Sequence, residues 1–376
     1  MPVSKIMIIG GAPRSLILFR GNLIREWIEL GFKVIAMAAP AKNDLLEEIS
    51  NLGVKYISIP IERDRMNFIN DLGLIFKLRK IIKVEKPEYI FAYTVKPIIY
   101  SALAGKVYKE IEFYFMISGL GFAFTGESVK QKLIRLIITF LYRIALKRSR
   151  VIFFQNQDDL EVFHNLQIMP RDKKAVVING SGVDTGYYYF SEYQPRQEVS
   201  FLLIARLINS KGIKNYVEAA RMVKEKHHHA IFHLIGHMND SPDAIVQNDL
   251  DAWQAEGVID YLGYQADVRP SIMAAAVYVL PSYREGMPRS VLEAMSMGRP
   301  VITTDVPGCR ETVIEGVNGY LVPVKNSAAL AEAMERFILE PGLINTMGLA
   351  SRKIAETKFD VHTVNKTILA AMGISI

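Results

Sequence analysis

Val277-Tyr278-Val279-Leu280-Pro281-Ser282-Tyr283-Arg284-Glu285-Gly286-Met287-Pro288-Arg289-Ser290-Val291-Leu292-Glu293 reads as a strand, a loop and the opening of a helix. Val277–Pro281 is an apolar run of strand length, and Ser290–Met297 carries helical patterning. That order is half of a βαβ unit, the building block of parallel sheets. The loop falls at the carboxyl end of its strand, where such sheets bind ligands. Glu285 lies on this loop and Glu293 in the first turns of the helix. Backbone N–H groups around Gly286, Met287 and the helix start are available to phosphate oxygens. Gly286 permits close approach, and Pro288 stiffens the turn. Two carboxylates beside an anion site suit sugar and ribose hydroxyls, which give charge-assisted hydrogen bonds. The plainer alternative is a helix-start glutamate favoured by the dipole beside a solvated one. The Gly and Pro between them argue for the site.

The same pattern extends in both directions. Ser200–Ala205, Ala230–Ile235, Val258–Tyr261 and Pro300–Thr304 read as further strands, with helices at Gly212–Lys226, Asp249–Glu256, Val268–Ala274 and Ala328–Leu339. Toward the N-terminus, strands are expected at Lys5–Ile9, Lys33–Ala38, Lys55–Ile59, Tyr89–Tyr93, Phe113–Ile117 and Val151–Gln155. Helices are expected at Leu18–Leu30, Asp44–Asn51 and Asn70–Glu85. The fold class is therefore α/β, with two doubly wound Rossmann-like domains whose ligand edges face a central cleft. The first domain is expected over 1–188 and the second over 189–357. The final helix, about 358–376, crosses back to the first domain. Tyr187–Val199 lacks apolar periodicity and reads as a linker.

Composition narrows the class. Hydrophobic residues make up 50% and charged residues 22%, a globular balance that excludes a disordered chain. A single cysteine, Cys309, rules out an internal disulfide and a cysteine metal cluster and fits a reduced, cytosolic compartment. The apolar run after Lys5 is too short for a signal peptide. The formal net charge of +6 raises nucleic acid and anionic lipid as partners. No nucleic-acid-binding motif accompanies it. The charge concentrates in 128–150, which holds seven Lys and Arg and no acid. Lys132, Arg135, Thr139 and Arg143 fall on one helical stripe, and the rest is apolar. This stretch is too short and charged to span a bilayer. It suits an anionic membrane surface, or else a helix buried in its own domain with a solvated basic edge.

Two further loops follow strands. Ala205-Arg206-Leu207-Ile208-Asn209-Ser210-Lys211-Gly212 places two cations at a strand's carboxyl end, where they can clamp a diphosphate and stabilise its charge as it departs. Taken singly, each reads as a surface cation. Gly10-Gly11-Ala12-Pro13-Arg14-Ser15 follows the first strand with the spacing of neither a dinucleotide fingerprint nor a P-loop.

These segments together resemble the retaining family-4 glycosyltransferases. Glu285 and Glu293 match the family's paired glutamates, and Arg206 and Lys211 its Arg/Lys pair. Asn179-Gly180-Ser181-Gly182-Val183-Asp184, Gly298-Arg299-Pro300-Val301-Ile302 and Gly316-Val317-Asn318-Gly319-Tyr320 match further segments. The resemblance implies the two-domain GT-B fold and a nucleotide-sugar donor. It implies that Glu285 holds hydroxyls of the donor sugar, Glu293 the ribose, and Arg206 and Lys211 the diphosphate. Backbone at Gly286, Met287 and Pro288 would touch the donor. Gly236 and Tyr264 would flank the base, and Gly11 would face the donor from the first domain. Many members carry a first-domain His near the sugar. Here the first His is His164, so any polar contact there falls to Ser118 or the backbone, or to Thr94 or Lys96 nearby, and Arg14 joins Lys96 and Ser118 as a candidate on the acceptor side. Tyr93-Thr94-Val95-Lys96-Pro97 and Ser118-Gly119-Leu120-Gly121 resemble bacterial transferases that extend an undecaprenyl-diphosphate-linked sugar, α-1,3-N-acetylgalactosaminyltransferases among them. A lipid-linked saccharide acceptor and a place on the inner face of the cell membrane follow from that likeness.

No cofactor and no metal are expected, since Arg206 and Lys211 take the metal's place and no Asp-x-Asp motif appears. His227-His228-His229 reads as a solvated turn, and Cys309 as structural. The rival readings are a UDP-sugar epimerase of the same fold and a non-catalytic scaffold at the membrane surface.

Overall fold

The structure is a computed structural model that describes residues 3–61, 68–120, 124, 128–238, 241 and 243–374. Gly121 and most of the phenylalanine-rich stretch after it lie outside these residues. The chain divides into two compact units, Met1–Ser181 with Val364–Ile376, and Gly182–Thr363.

The first unit is built on seven parallel strands: β1 (Lys5–Ile9), β2 (Lys33–Ala38), β3 (Lys55–Ser58), β4 (Tyr89–Tyr93), β5 (Glu112–Ile117), β6 (Ser149–Phe154) and β7 (Ala175–Val177), in the order β3-β2-β1-β4-β5-β6-β7. The strands are apolar on both sides because both faces are covered. Met7, Ile9, Phe113 and Phe115 point into one core with α3 (Phe68–Glu85), α4 (Val95–Ala104) and α5 (Val129–Leu146). Their alternates Ile6, Ile8, Tyr114 and Met116 point into the other, with α1 (Pro13–Glu29). The last helix, Val361–Met372, drops Val364, Ile368, Leu369 and Met372 into that second core.

α5 departs from expectation. Thr139 is buried with Ile138 and Tyr142, so the expected stripe is interrupted there, while Lys132 and Arg143 are exposed and Arg135 is half-buried. The side turned outward carries Val129, Leu133, Leu136 and Phe140, all exposed. The sequence holds two stripes of the same period, and the core selects Ile138 and Tyr142 as the inward one. Among the described residues no helix is long and apolar enough to cross a membrane.

The second unit has six parallel strands, β8 (Ser200–Ile204), β9 (Ile231–Ile235), β10 (Asp260–Tyr261), β11 (Val277–Leu280), β12 (Val301–Thr304) and β13 (Gly319–Val322), in the order β10-β9-β8-β11-β12-β13. Tyr187–Val199 is not a free linker. Tyr193 joins the core beneath β8, and Tyr188 packs with Leu292 and Met295. The buried Arg299 guanidinium donates to the Ser191 carbonyl (2.7 Å) and hydroxyl (2.8 Å). Aromatic anchors hold this segment without any periodic pattern. The units accordingly part at Ser181/Gly182, ahead of the boundary expected after Tyr188.

Candidate functional site

The chemistry-bearing loops of the second unit leave the carboxyl ends of β8, β9, β11 and β12, which are neighbours in the sheet. Their backbones brace one another. Tyr283 N–H donates to the Ser210 carbonyl (2.9 Å), and the Ser282 hydroxyl reaches the same oxygen (3.3 Å). Glu285 N–H donates to Pro307 O (3.1 Å). The loop after β8 is closed by Asp243, which accepts from Ser210 N–H at 3.0 Å.

Three glycines allow this closeness. Gly212 has φ +72°, and a Cβ there would sit 2.0 Å from the Pro281 carbonyl oxygen. A Cβ on Gly236 would meet Ala205 O at 1.9 Å, and one on Gly308 would meet Glu285 O at 2.5 Å. Sequence reading anticipates Gly236 but misses Gly308, although Pro307-Gly308 is a plain turn signal.

Lys211 Nζ and the Glu285 carboxylate form an ion pair in this brace, with side chains 17% and 13% exposed. Arg206 is exposed, and no described residue holds its side chain by a hydrogen bond or ion pair. One cation is thus oriented by a carboxylate, and the other is available to an anion.

α10 (Arg289–Ser296) opens at Pro288 without a side-chain cap, and the Pro288 carbonyl accepts from the N–H of Val291 at 3.1 Å. Gly286 and Met287 are part-buried just ahead of it. Glu293 is buried and paired with Arg289 at 2.8 Å. Burial holds its carboxyl above the usual carboxylate range, and the Arg289 guanidinium and the Tyr188 hydroxyl draw it part of the way back. Tyr188 is a site neighbour that sequence reading misses, because it belongs to the supposed linker.

On the β9 and β10 side, Gly236 N–H donates to Gly263 O at 3.0 Å, and the Tyr261 hydroxyl to Gly236 O at 2.8 Å. Tyr264 is exposed and meets His237 edge-on, 6.0 Å between ring centroids. An exposed ring on such a loop can stack on a planar base.

Cys309 lies beneath the ion pair. Burial, then the charge of Glu285, pushes its thiol up to about 12. A thiol held protonated and enclosed is a poor nucleophile. Native protein is therefore expected to resist iodoacetamide at pH ~8, where a free cysteine of pKa ~8.5 reacts, and to be alkylated once unfolded. Equal labelling rates in the two states, read by mass spectrometry, would contradict this burial. Among the described residues no group of three or more His, Cys, Asp or Glu is placed to hold a metal ion. His227–His229 forms a turn between α7 (Ile213–Lys226) and β9.

The first unit presents its own strand ends. Gly11 is buried after β1. Its neighbour Gly10 has room for no side chain, since a Cβ would sit 2.2 Å from the Tyr93 hydroxyl. That hydroxyl is 2.7 Å from Ser15 Oγ. Arg14 is exposed and meets Glu48 at 3.4 Å. Lys96 is buried in the first turn of α4, and the Ser118 hydroxyl is buried with no partner among the described residues. Thr94, between β4 and α4, has φ 69° and ψ 162°, a conformation that glycine adopts and a β-branched residue resists. Such strain costs roughly 1–3 kcal/mol and gathers at functional turns. No sequence signal announces it.

The chain matches the family described as Glycosyl transferases group 1 over residues 198–340, and the family described as Glycosyl transferase 4-like over residues 30–156. It is 26% identical, over 87% of its length and 88% of the relative's, to the N,N'-diacetylbacillosaminyl-diphospho-undecaprenol alpha-1,3-N-acetylgalactosaminyltransferase of Campylobacter jejuni. It is 24% identical, over 82% and 81% of the two chains, to the UDP-Gal:alpha-D-GlcNAc-diphosphoundecaprenol alpha-1,3-galactosyltransferase of Escherichia coli. Among solved structures, Anabaena HepE in complex with UDP and glucose superposes with a TM-score of 0.78 at 18% identity, covering 98% of this chain and 99% of that one. The sucrose-phosphate synthase of Thermosynechococcus elongatus superposes with a TM-score of 0.80 at 17% identity, covering 98% of both.

Proposed function

We propose, on the premise that this chain belongs to the group 1 glycosyltransferases and has the GT-B fold, that it moves a hexose or N-acetylhexosamine from a UDP-sugar, with retention, to a polyprenyl-diphosphate-linked saccharide in cell-surface polysaccharide or glycan assembly. The observation that carries this reading is the Lys211–Glu285 ion pair, set at the strand ends beside the uncapped start of α10. A carboxylate for sugar hydroxyls and a cation for a diphosphate are already side by side there. Arg206 supplies the second cation, and Glu293 takes the ribose. Tyr264 lies against the base. Gly11, Arg14, Lys96 and Ser118 serve the first unit's share of donor and acceptor. The named relatives in Campylobacter jejuni and Escherichia coli, whose names give diphosphoundecaprenol-linked substrates, support the choice of acceptor.

The acceptor hydroxyl attacks the anomeric carbon on the face that the nucleotide leaves. The departing diphosphate takes the acceptor's proton, and its charge is stabilised by Lys211, Arg206 and the N–H groups of the helix start. No enzyme carboxylate serves as nucleophile, unlike the paired carboxylates of retaining glycosidases. The enzyme's contribution is position and leaving-group electrostatics. The two cations do the work a metal ion would do, and the protein works on the inner face of the cell membrane, where 128–150 meets anionic lipid.

The test is transfer of labelled sugar from a panel of UDP-sugars to a polyprenyl-diphosphate-linked saccharide in excess chelator. Full turnover is expected, with the product keeping the donor's anomeric configuration. Activity lost to chelator and restored by magnesium would remove the cations' proposed role. An isomerised nucleotide sugar without transfer would favour the epimerase.

A further inference from the structure

The outward ridge of α5 has a counterpart on α3. On α5, Val129, Leu133, Leu136 and Phe140 are 85%, 59%, 68% and 60% exposed. Their spacing of four, three and four sets them on one side of the helix. On α3, Leu72, Phe76 and Val84 are 58%, 68% and 69% exposed. The inward residues of both helices, Leu74, Leu78 and Ile82 on α3 and Ile138, Tyr142 and Leu146 on α5, enter the same core. Both helices pack on α4 and cover the same face of the sheet. At about 100° per residue, Leu72 and Phe76 lie opposite Leu74 and Leu78, and Leu136 and Phe140 lie opposite Ile138 and Tyr142. The two apolar ridges therefore point away from the sheet on one side of the unit.

Charge selects what meets them. From Leu72 to Val84 the chain carries Lys77, Arg79, Lys80 and Lys83, all exposed, and no acid. Lys132 and Lys147 are exposed on and just after α5. The other cations of that stretch are partly committed: Arg143 donates to the carbonyls of Leu166 and Gln167, and Arg148 to those of Gly105, Lys106 and Tyr108. An apolar ridge fringed by lysine fits a bilayer interface, where acyl chains take the ridge and phosphate headgroups the fringe. It fits a protein partner poorly, since protein interfaces are depleted in lysine. A second copy would bring two lysine fringes together.

We propose that α3 and α5 form one docking face that enters the interface of an anionic lipid bilayer by hydrophobic insertion, with the lysines of α3 against the headgroups. This deepens the membrane placement given above. It differs in mechanism from a purely electrostatic contact at 128–150, and it brings in α3. It is tested without any sugar substrate, so its failure leaves the transferase reading standing.

The experiment is flotation of the full chain with vesicles of phosphatidylglycerol and phosphatidylethanolamine, and with phosphatidylcholine alone, at low and high salt. Native protein is expected to float with the anionic vesicles and to retain part of that binding in high salt. L136S/F140S and, on the other helix, Phe76→Ser are each expected to weaken partition on the order of tenfold or more. Their melting temperatures should stay near native, because the residues are exposed. K80Q/K83Q should remove only the salt-sensitive part. Three outcomes overturn the proposal: no binding to either vesicle, serine variants that bind as native protein does, or lipid-free self-association that L136S/F140S abolishes.

Discussion

Lys211→Ala is expected to lose about 10²–10³-fold in kcat/KM, the usual cost of removing one preorganised group aimed at developing charge. Lys211 lies in the turn that Gly212 ends, and Glu285 holds its ammonium in a largely enclosed ion pair. A lysine oriented in this way needs little rearrangement to meet a departing phosphate. Folding should suffer far less, since Glu285 keeps some access to solvent and its backbone remains fixed to Pro307. Glu285→Gln should also reduce turnover, and the two losses should not add, because each variant removes the same pair. Initial rates and melting curves for the two single variants and the double variant decide this. Native kinetics in Lys211→Ala would remove its role, and strict additivity would separate the two residues.

Gly212→Ala is expected to cost about 3 kcal/mol or more of stability, with loss of activity alongside. The left-handed conformation alone costs an L-residue roughly 1–2 kcal/mol. The remainder comes from a Cβ that would sit 2.0 Å from the Pro281 carbonyl oxygen. Relief of that overlap must separate the Lys211 turn from the loop that carries Glu285, so the damage falls on the site. Gly257→Ala is the control. Gly257 has φ +69° with no atom within 4 Å of the added Cβ, so only the conformational cost applies. Urea unfolding of the two variants measures the difference. Equal midpoints would show that the loops yield freely.

Much of the fold was legible because a parallel sheet covered on both faces writes each strand as an apolar run closed by Gly or Pro. Ile6–Ile9 and Val277–Leu280 are strands of this kind, and their loops followed directly. The types of the site residues were legible for the same reason: Glu285, Arg206 and Lys211 all come just after strand ends. Their partnership was not. Nothing in the sequence says that Glu285 would hold Lys211 while Arg206 stays exposed, or that Tyr188 would reach Glu293. Such choices are made by tertiary packing. The same holds for α5, where two apolar stripes share one period and only the core decides which faces out. The buried tyrosines of 187–199 show the converse case, a segment with no pattern that is nonetheless fixed by two large anchors.

The strand-end loops of the second unit are expected to bind a uridine diphosphate sugar. The most direct measurement is a thermal-shift titration of native protein and Lys211→Ala with UDP, GDP, ADP and a panel of UDP-sugars. Ligand at 100 times its Kd adds about 2.7 kcal/mol to apparent stability. Native protein is expected to be stabilised by UDP and by one UDP-sugar above the rest, and Lys211→Ala to lose most of that shift. A flat response of the native protein to every nucleotide, or an equal shift in both proteins, would contradict the account.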